Sequence, residues 1–142
     1  MKKILAIALA CVMAFGLVAC GGSKIKDGTY SAEMSDASAE ESHGWKDYLN
    51  ITYKDGKIDT VEYDSKDADG NLKSQTTAET YPMDPAPSVW IPQMIENIKA
   101  TSDPDKVAAI AGATHASENA KKLYKAVLEK ANAGDTTVAV VD

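Results

Sequence analysis

The sequence predicts an α+β fold, with a small antiparallel sheet in the first half of residues 28–142 and helices packed on one face of it. Three observations carry this reading. Apolar and polar residues alternate between Gly28 and Tyr63, an Asp-Gly pair at 55–56 divides two of the alternating runs, and apolar residues recur at three- and four-residue spacing after Pro87. Strands that come first and helices that come later bury their apolar sides most simply as a sheet covered on one face.

The first strand is read from Gly28-Thr29-Tyr30-Ser31-Ala32-Glu33-Met34, where Tyr30, Ala32 and Met34 share a face. A loop rich in Ser, Ala and Glu follows. From Lys46 to Tyr53, Leu49, Ile51 and Tyr53 share a face, Lys54-Asp55-Gly56-Lys57 forms a turn tolerant of positive φ, and Ile58 to Tyr63 returns as the hairpin partner. A polar stretch, Asp64 to Thr80, leads to Pro82, Pro85 and Pro87, which exclude regular structure until Ser88 can cap a helix. In that helix Ile91, Met94, Ile95 and Ile98 form the apolar stripe, and Pro92 is accommodated in the first turn. Asp103-Pro104 begins a further turn. A last helix is expected from about Ser117 to Asn132, with Ala120, Leu123, Tyr124, Val127, Leu128 and Ala131 on one side and Gly134 past its end.

At the N-terminus, Lys2 and Lys3 precede an uncharged apolar run from Ile4 to Leu17, the shape of an export signal. The tetrapeptide Leu17-Val18-Ala19-Cys20 resembles the lipobox of bacterial lipoproteins, in which the cysteine sulfur takes diacylglycerol before the signal is cut in front of it. The resemblance implies a signal peptide at 1–19, a lipidated Cys20 followed by a flexible tether to residue 27, and a domain at 28–142. It places the domain on the extracytoplasmic face of the cell membrane. The alternative, a transmembrane helix, is disfavoured because the run is short for a hydrocarbon core of roughly 30 Å.

The chain has two cysteines, and on this reading Cys11 leaves with the signal while Cys20 is consumed by lipid. No thiol then remains for a disulfide or a thiolate metal site, and His43 and His115 stand alone without ligand-like spacing, so no metal centre is expected. Fifteen basic residues against 21 acidic ones give a formal charge of −6, and losing Lys2 and Lys3 leaves 13 against 21, or −8. Nucleic acid is excluded as a natural partner. The acidic loop from Asp64 to Asn71 fails as a calcium site, because aligning Gly70 with the invariant glycine of an EF-hand puts Ser65 at the first ligand position and Thr76 at the twelfth.

The segment with the most chemical content is Ala111-Gly112-Ala113-Thr114-His115-Ala116-Ser117, small residues and hydroxyls at a helix start. Backbone N–H groups there, with the helix dipole, suit an anion such as a phosphate, and Thr114 or Ser117 offers a hydroxyl. The plainer alternative makes Ser117 an N-cap and Gly112 a turn residue. Gly112-Ala113-Thr114-His115, followed by Ser117-Glu118-Asn119, resembles the FMN-binding domain family, and within it the small membrane-anchored lipoproteins that carry one such domain. Asp27-Gly28-Thr29-Tyr30 and His43-Gly44-Trp45-Lys46 share the likeness.

That resemblance implies FMN joined through its phosphate to the hydroxyl of Thr114 by a separate flavin transferase, which reads a motif of the form Asp-x-x-Ser/Thr-Gly-Ala-Thr. Gly112, Ala113 and Thr114 match the motif, whereas Ala108 and Ala111 stand where the family has Asp and Ser or Thr. A noncovalent ligand of about thirty heavy atoms at about 0.3 kcal/mol each gains roughly 9 kcal/mol, a sub-micromolar Kd that dilution outside the cell would defeat. Trp45, Tyr81 and Trp90 are candidates to stack on the flavin ring, with Trp45 favoured by the resemblance, and His115 could donate to a phosphate oxygen. The expected function is an FMN-binding electron carrier, not an enzyme, working with redox partners in the membrane. The alternative is a cofactor-free binding lipoprotein that keeps the fold.

Overall fold

A computed structural model describes residues 24–142; the expected signal at 1–19 and the expected lipidation at Cys20 lie outside the described residues. The chain forms β1 (Gly28–Met34), α1 (Asp36–Glu41), β2 (Lys46–Lys54), β3 (Lys57–Lys66), α2 (Pro87–Lys99), α3 (Thr114–Ala133) and β4 (Ala139–Val141), with short 3-10 turns at Lys73–Gln75 and Pro104–Lys106. The α+β class holds.

The sheet order is β3-β2-β1-β4. The β2–β3 hairpin turns at Asp55 (φ 53°) and Gly56 (φ 78°), the two successive positive φ values that a two-residue turn between twisted strands requires. β1 pairs antiparallel with β2 from Gly28↔Tyr53 to Glu33↔Tyr48. The sheet is mixed, however, because β4 runs parallel to β1 from Ala32↔Ala139 to Met34↔Val141. Three residues are too few for a strand to show alternation of its own, and β4 follows a long connection through α2 and α3.

Alternation places Tyr30, Ala32, Met34, Leu49, Ile51, Tyr53, Val61 and Tyr63 on one face, where they pack with Trp90, Ile91, Met94 and Ile98 of α2 and Ala120, Leu123, Tyr124, Val127 and Ala131 of α3. Both helices therefore cover the same face. Each buried Leu or Ile contributes about 1.5–3 kcal/mol of transfer free energy, so this single layer supplies the drive to fold.

Four local expectations are corrected. The Ser/Ala/Glu loop contains α1, started by the Ser35 hydroxyl accepting from Ser38 N–H at 3.2 Å. Helix α2 starts at Pro87 after an Ala86 cap, so Ser88 is not its cap and Pro92 falls in the second turn, where the Ser88 carbonyl forgoes a helical donor. Helix α3 starts at Thr114, three residues ahead of Ser117, which is therefore not an N-cap. β3 also runs on to Lys66, so Asp64 and Ser65 belong to the strand and are buried.

Candidate cofactor site

Where β2 begins, β3 ends and α3 starts, a cleft of about 270 Å³ opens, walled among others by Ser42, His43, Asp47, Lys73, Tyr81, Trp90, Gly112 and Thr114. It lies at the segment singled out in the sequence and adds to it residues from four other parts of the chain.

The α3 wall begins with a tight turn. Gly112 has φ +85°, and a Cβ there would stand 2.8 Å from both the Asp84 carbonyl oxygen and Pro85 Cδ. Glycine is thus required both by the left-handed backbone and by the loop that packs on it. Ala113 N–H donates to Ile110 O at 3.0 Å, and Ser117 N–H donates to Ala113 O at 2.9 Å. Between them the N–H groups of Thr114, His115 and Ala116 have no acceptor among the described residues. The exposed Thr114 hydroxyl also has no partner there. These are the elements of an anion site on the end of a 20-residue helix.

Ser117 has another role. Its hydroxyl, buried at 2 % exposure, accepts from Ile110 N–H at 3.0 Å and donates to Ala113 O at 2.8 Å. It staples the turn in place and leaves Thr114 as the hydroxyl open to a ligand. His115 Nε2 pairs with Ser42 Oγ at 3.1 Å, which ties the start of α3 to the residue after α1.

Polar side chains buried behind the cleft organise its other walls. The Asp47 carboxylate accepts from Ser65 Oγ, from Asn119 Nδ2 at 3.0 Å and from the Tyr63 hydroxyl at 3.4 Å, joining β2, β3 and α3. Burial, then the neighbouring Asp47 carboxylate, pushes the Tyr63 hydroxyl well above its ordinary range, so it stays a donor, shared with Ala116 O at 3.3 Å. Asp64 accepts from Ser74 N–H at 3.1 Å and Ser74 Oγ at 2.5 Å, and so fixes the 3-10 turn that carries Lys73. The Lys73 ammonium sits over the Tyr81 ring at 4.7 Å and the Trp45 ring at 5.6 Å.

Of the three aromatic candidates, Tyr81 and Trp90 line the cleft, and Trp45 stands one layer back, edge-to-face with Tyr81 at 6.0 Å. Asp47, Asp64 and Lys73 were not foreseen. Asp47 shares the strand parity of Leu49 and Ile51, which was the available signal for a buried carboxylate. Asp67, the centre of the acidic loop, accepts from Asn71 and Asp69 N–H and from Asn71 Nδ2, an ordinary turn.

The Trp90 indole N–H is buried without an acceptor and belongs to a residue lining the cleft. A planar, acceptor-rich, anionic ligand fits these donors: N–H groups at one wall, an indole N–H and an ammonium at the others, with aromatic faces between. The fold and cleft thus define a small ligand-binding α+β domain with an anion site at a helix start. The sequence matches the FMN-binding domain family over residues 44–129, a span that contains Asp47, Lys73, Tyr81, Trp90, Gly112 and Thr114 of the cleft, and the chain belongs to that family. Its cofactor is FMN. The chain is 31% identical to the 15 kDa lipoprotein of Treponema pallidum over 130 residues, which cover 89% of this chain and 90% of that protein. It superposes on the crystal structure of the CPE2226 protein from Clostridium perfringens with a TM-score of 0.74 at 30% identity, covering 83% of this chain and 98% of that one.

Proposed function

We propose that the chain is an extracytoplasmic lipoprotein, held to the cell membrane through lipid on Cys20, that carries FMN on Thr114 and passes electrons between a donor in the membrane and an acceptor outside. The observation that carries this reading is the open start of α3, where three N–H groups and the Thr114 hydroxyl, without partners among the described residues, stand at a cleft also lined by Trp90, whose indole N–H is buried without an acceptor. The similarity to a lipoprotein along nearly the whole chain supports the anchor.

FMN supplies one- and two-electron chemistry when bound. The protein's own residues bind and orient. The helix start takes the phosphate, Gly112 lets the ligand approach the backbone, Ser117 and His115 hold the turn, and Tyr81 and Trp90 offer surfaces to the ring. On this reading the redox chemistry belongs to the ligand and the domain serves as a carrier.

Intact and peptide mass spectrometry of the protein produced with its flavin transferase tests the covalent bond, and a Thr114 peptide bearing FMN is the expected result. An unmodified peptide overturns covalent attachment. A second reading, noncovalent FMN, draws on Ala108 and Ala111, which replace the acidic and hydroxyl positions of the transferase motif. On that reading Ala108→Asp with Ala111→Ser converts a reversibly bound flavin into a covalent one.

A further inference from the structure

We propose that Lys73 is the cation of the cofactor cleft, and that its ammonium compensates the negative charge the isoalloxazine ring carries once reduced. The inference rests on FMN occupying this cleft.

Lys73 is only 8 % exposed, and its ammonium makes no hydrogen bond or ion pair among the described residues. Its near neighbours are the faces of Tyr81 and Trp45, which offset part of the cost of burying a charge but not all of it. The carboxylates lining the same cleft, Glu41 and Asp47, form no ion pair with it, and Asp47 is already engaged by Ser65, Asn119 and Tyr63. Asp64 and Ser74 clamp the turn on which Lys73 sits, which keeps its backbone beside the aromatic side of the cleft. A cation on a largely buried side chain, without a protein counter-ion, points to an anion that comes with the ligand.

FMN has two anionic places, the phosphate and the reduced ring. The phosphate has its own provision at the start of α3. Lys73 belongs to the aromatic side of the cleft with Tyr81, Trp45 and Trp90, whose indole N–H is buried without an acceptor. Uptake of two electrons and one proton by the neutral ring leaves it with one negative charge. In a reductive titration the electrons come from dithionite and the proton from water. A cation beside that ring favours the reduced form and raises the midpoint potential.

The test compares the full-length protein in detergent, loaded with FMN, with its Lys73→Met and Lys73→Arg variants. Lys73→Met is expected to lower the preference for reduced over oxidised FMN about tenfold, a fall of about 30 mV for a two-electron couple, while Lys73→Arg stays near the parent. The cofactor-free Lys73→Met protein is expected to melt no lower than the cofactor-free parent, since the ammonium has no protein counter-ion to lose. An unchanged potential in the Met variant overturns the proposal. So does weaker binding of oxidised FMN with riboflavin binding unchanged, which would make Lys73 a phosphate ligand. A parent that takes up no FMN in any form defeats the FMN reading itself and the inference with it, and is told apart by the absence of flavin absorbance before any variant is made.

Discussion

Helices α1 and α2 begin differently from α3, and the difference locates the work of the molecule. At α1 the Ser35 hydroxyl receives Ser38 N–H. At α2 the first position is Pro87, which has no N–H to satisfy, and Val89 and Trp90 N–H both donate to Ala86 O. At α3 the cap is Ala113, without a side-chain acceptor, and three N–H groups are left over. A missing side-chain N-cap costs about 1 kcal/mol, and both α2, capped by Ala86, and α3, capped by Ala113, go without one. What sets α3 apart is that its three unpartnered N–H groups stand at the cleft, whereas proline removes one of those donors at α2.

The contrast can be broken most completely at Thr114. Thr114→Ala is expected to abolish covalent flavin, read as loss of the added mass, yet to change unfolding free energy by less than about 0.5 kcal/mol, because the hydroxyl has no protein partner. Gly112→Ala works in the opposite sense. It forces a Cβ to 2.8 Å from the Asp84 carbonyl and Pro85 at φ +85°, with an expected loss of about 2–4 kcal/mol in urea unfolding. Ser117→Ala removes the staple and leaves the Ile110 N–H buried without an acceptor, for about 1–3 kcal/mol in the same measurement.

The smallest effect belongs to the far end of α3, past the last turn. The Lys130 ammonium, then the Thr137 N–H and hydroxyl, hold the Asp135 carboxyl well below the usual carboxylate range. A depressed folded value stabilises above the unfolded carboxylate range near ~4 and is lost as pH falls through the folded value. Asp135→Asn should therefore lower the melting temperature slightly at pH 7, with the gap closing in strong acid. The pair is half-exposed and screened by solvent, which keeps the effect small.

The hairpin and the apolar stripes of α2 and α3 were legible because one physical cause, burial on one face, writes a period into the sequence. Gly112, Ala113 and Thr114 were legible through the resemblance to the FMN-binding domain family, since by residue type alone a turn glycine and a helix cap account for the segment as well. The polar layer under the cleft was not. Asp47, Asp64 and Lys73 come from three segments, and no one segment reveals that a partner from another will satisfy it. The boundaries of the helices failed for a related reason, since Ser88 and Ser117 are good caps in isolation but tertiary packing gave the first position to Pro87 and the staple role to Ser117.

Helix α3 also sets a distance. Its first turn forms one wall of the cleft, and at its other end a Cβ on Gly134 would stand 3.6 Å from Lys26 Cδ, beside the strand through which the chain leaves its N-terminal segment. Twenty helical residues span about 30 Å. The screening length at physiological salt is about 8 Å, so charges gathered at the Gly134 end of the helix are screened from the cleft several times over. The ends of α3 are thus electrostatically independent, and the helix is a spacer as well as a wall.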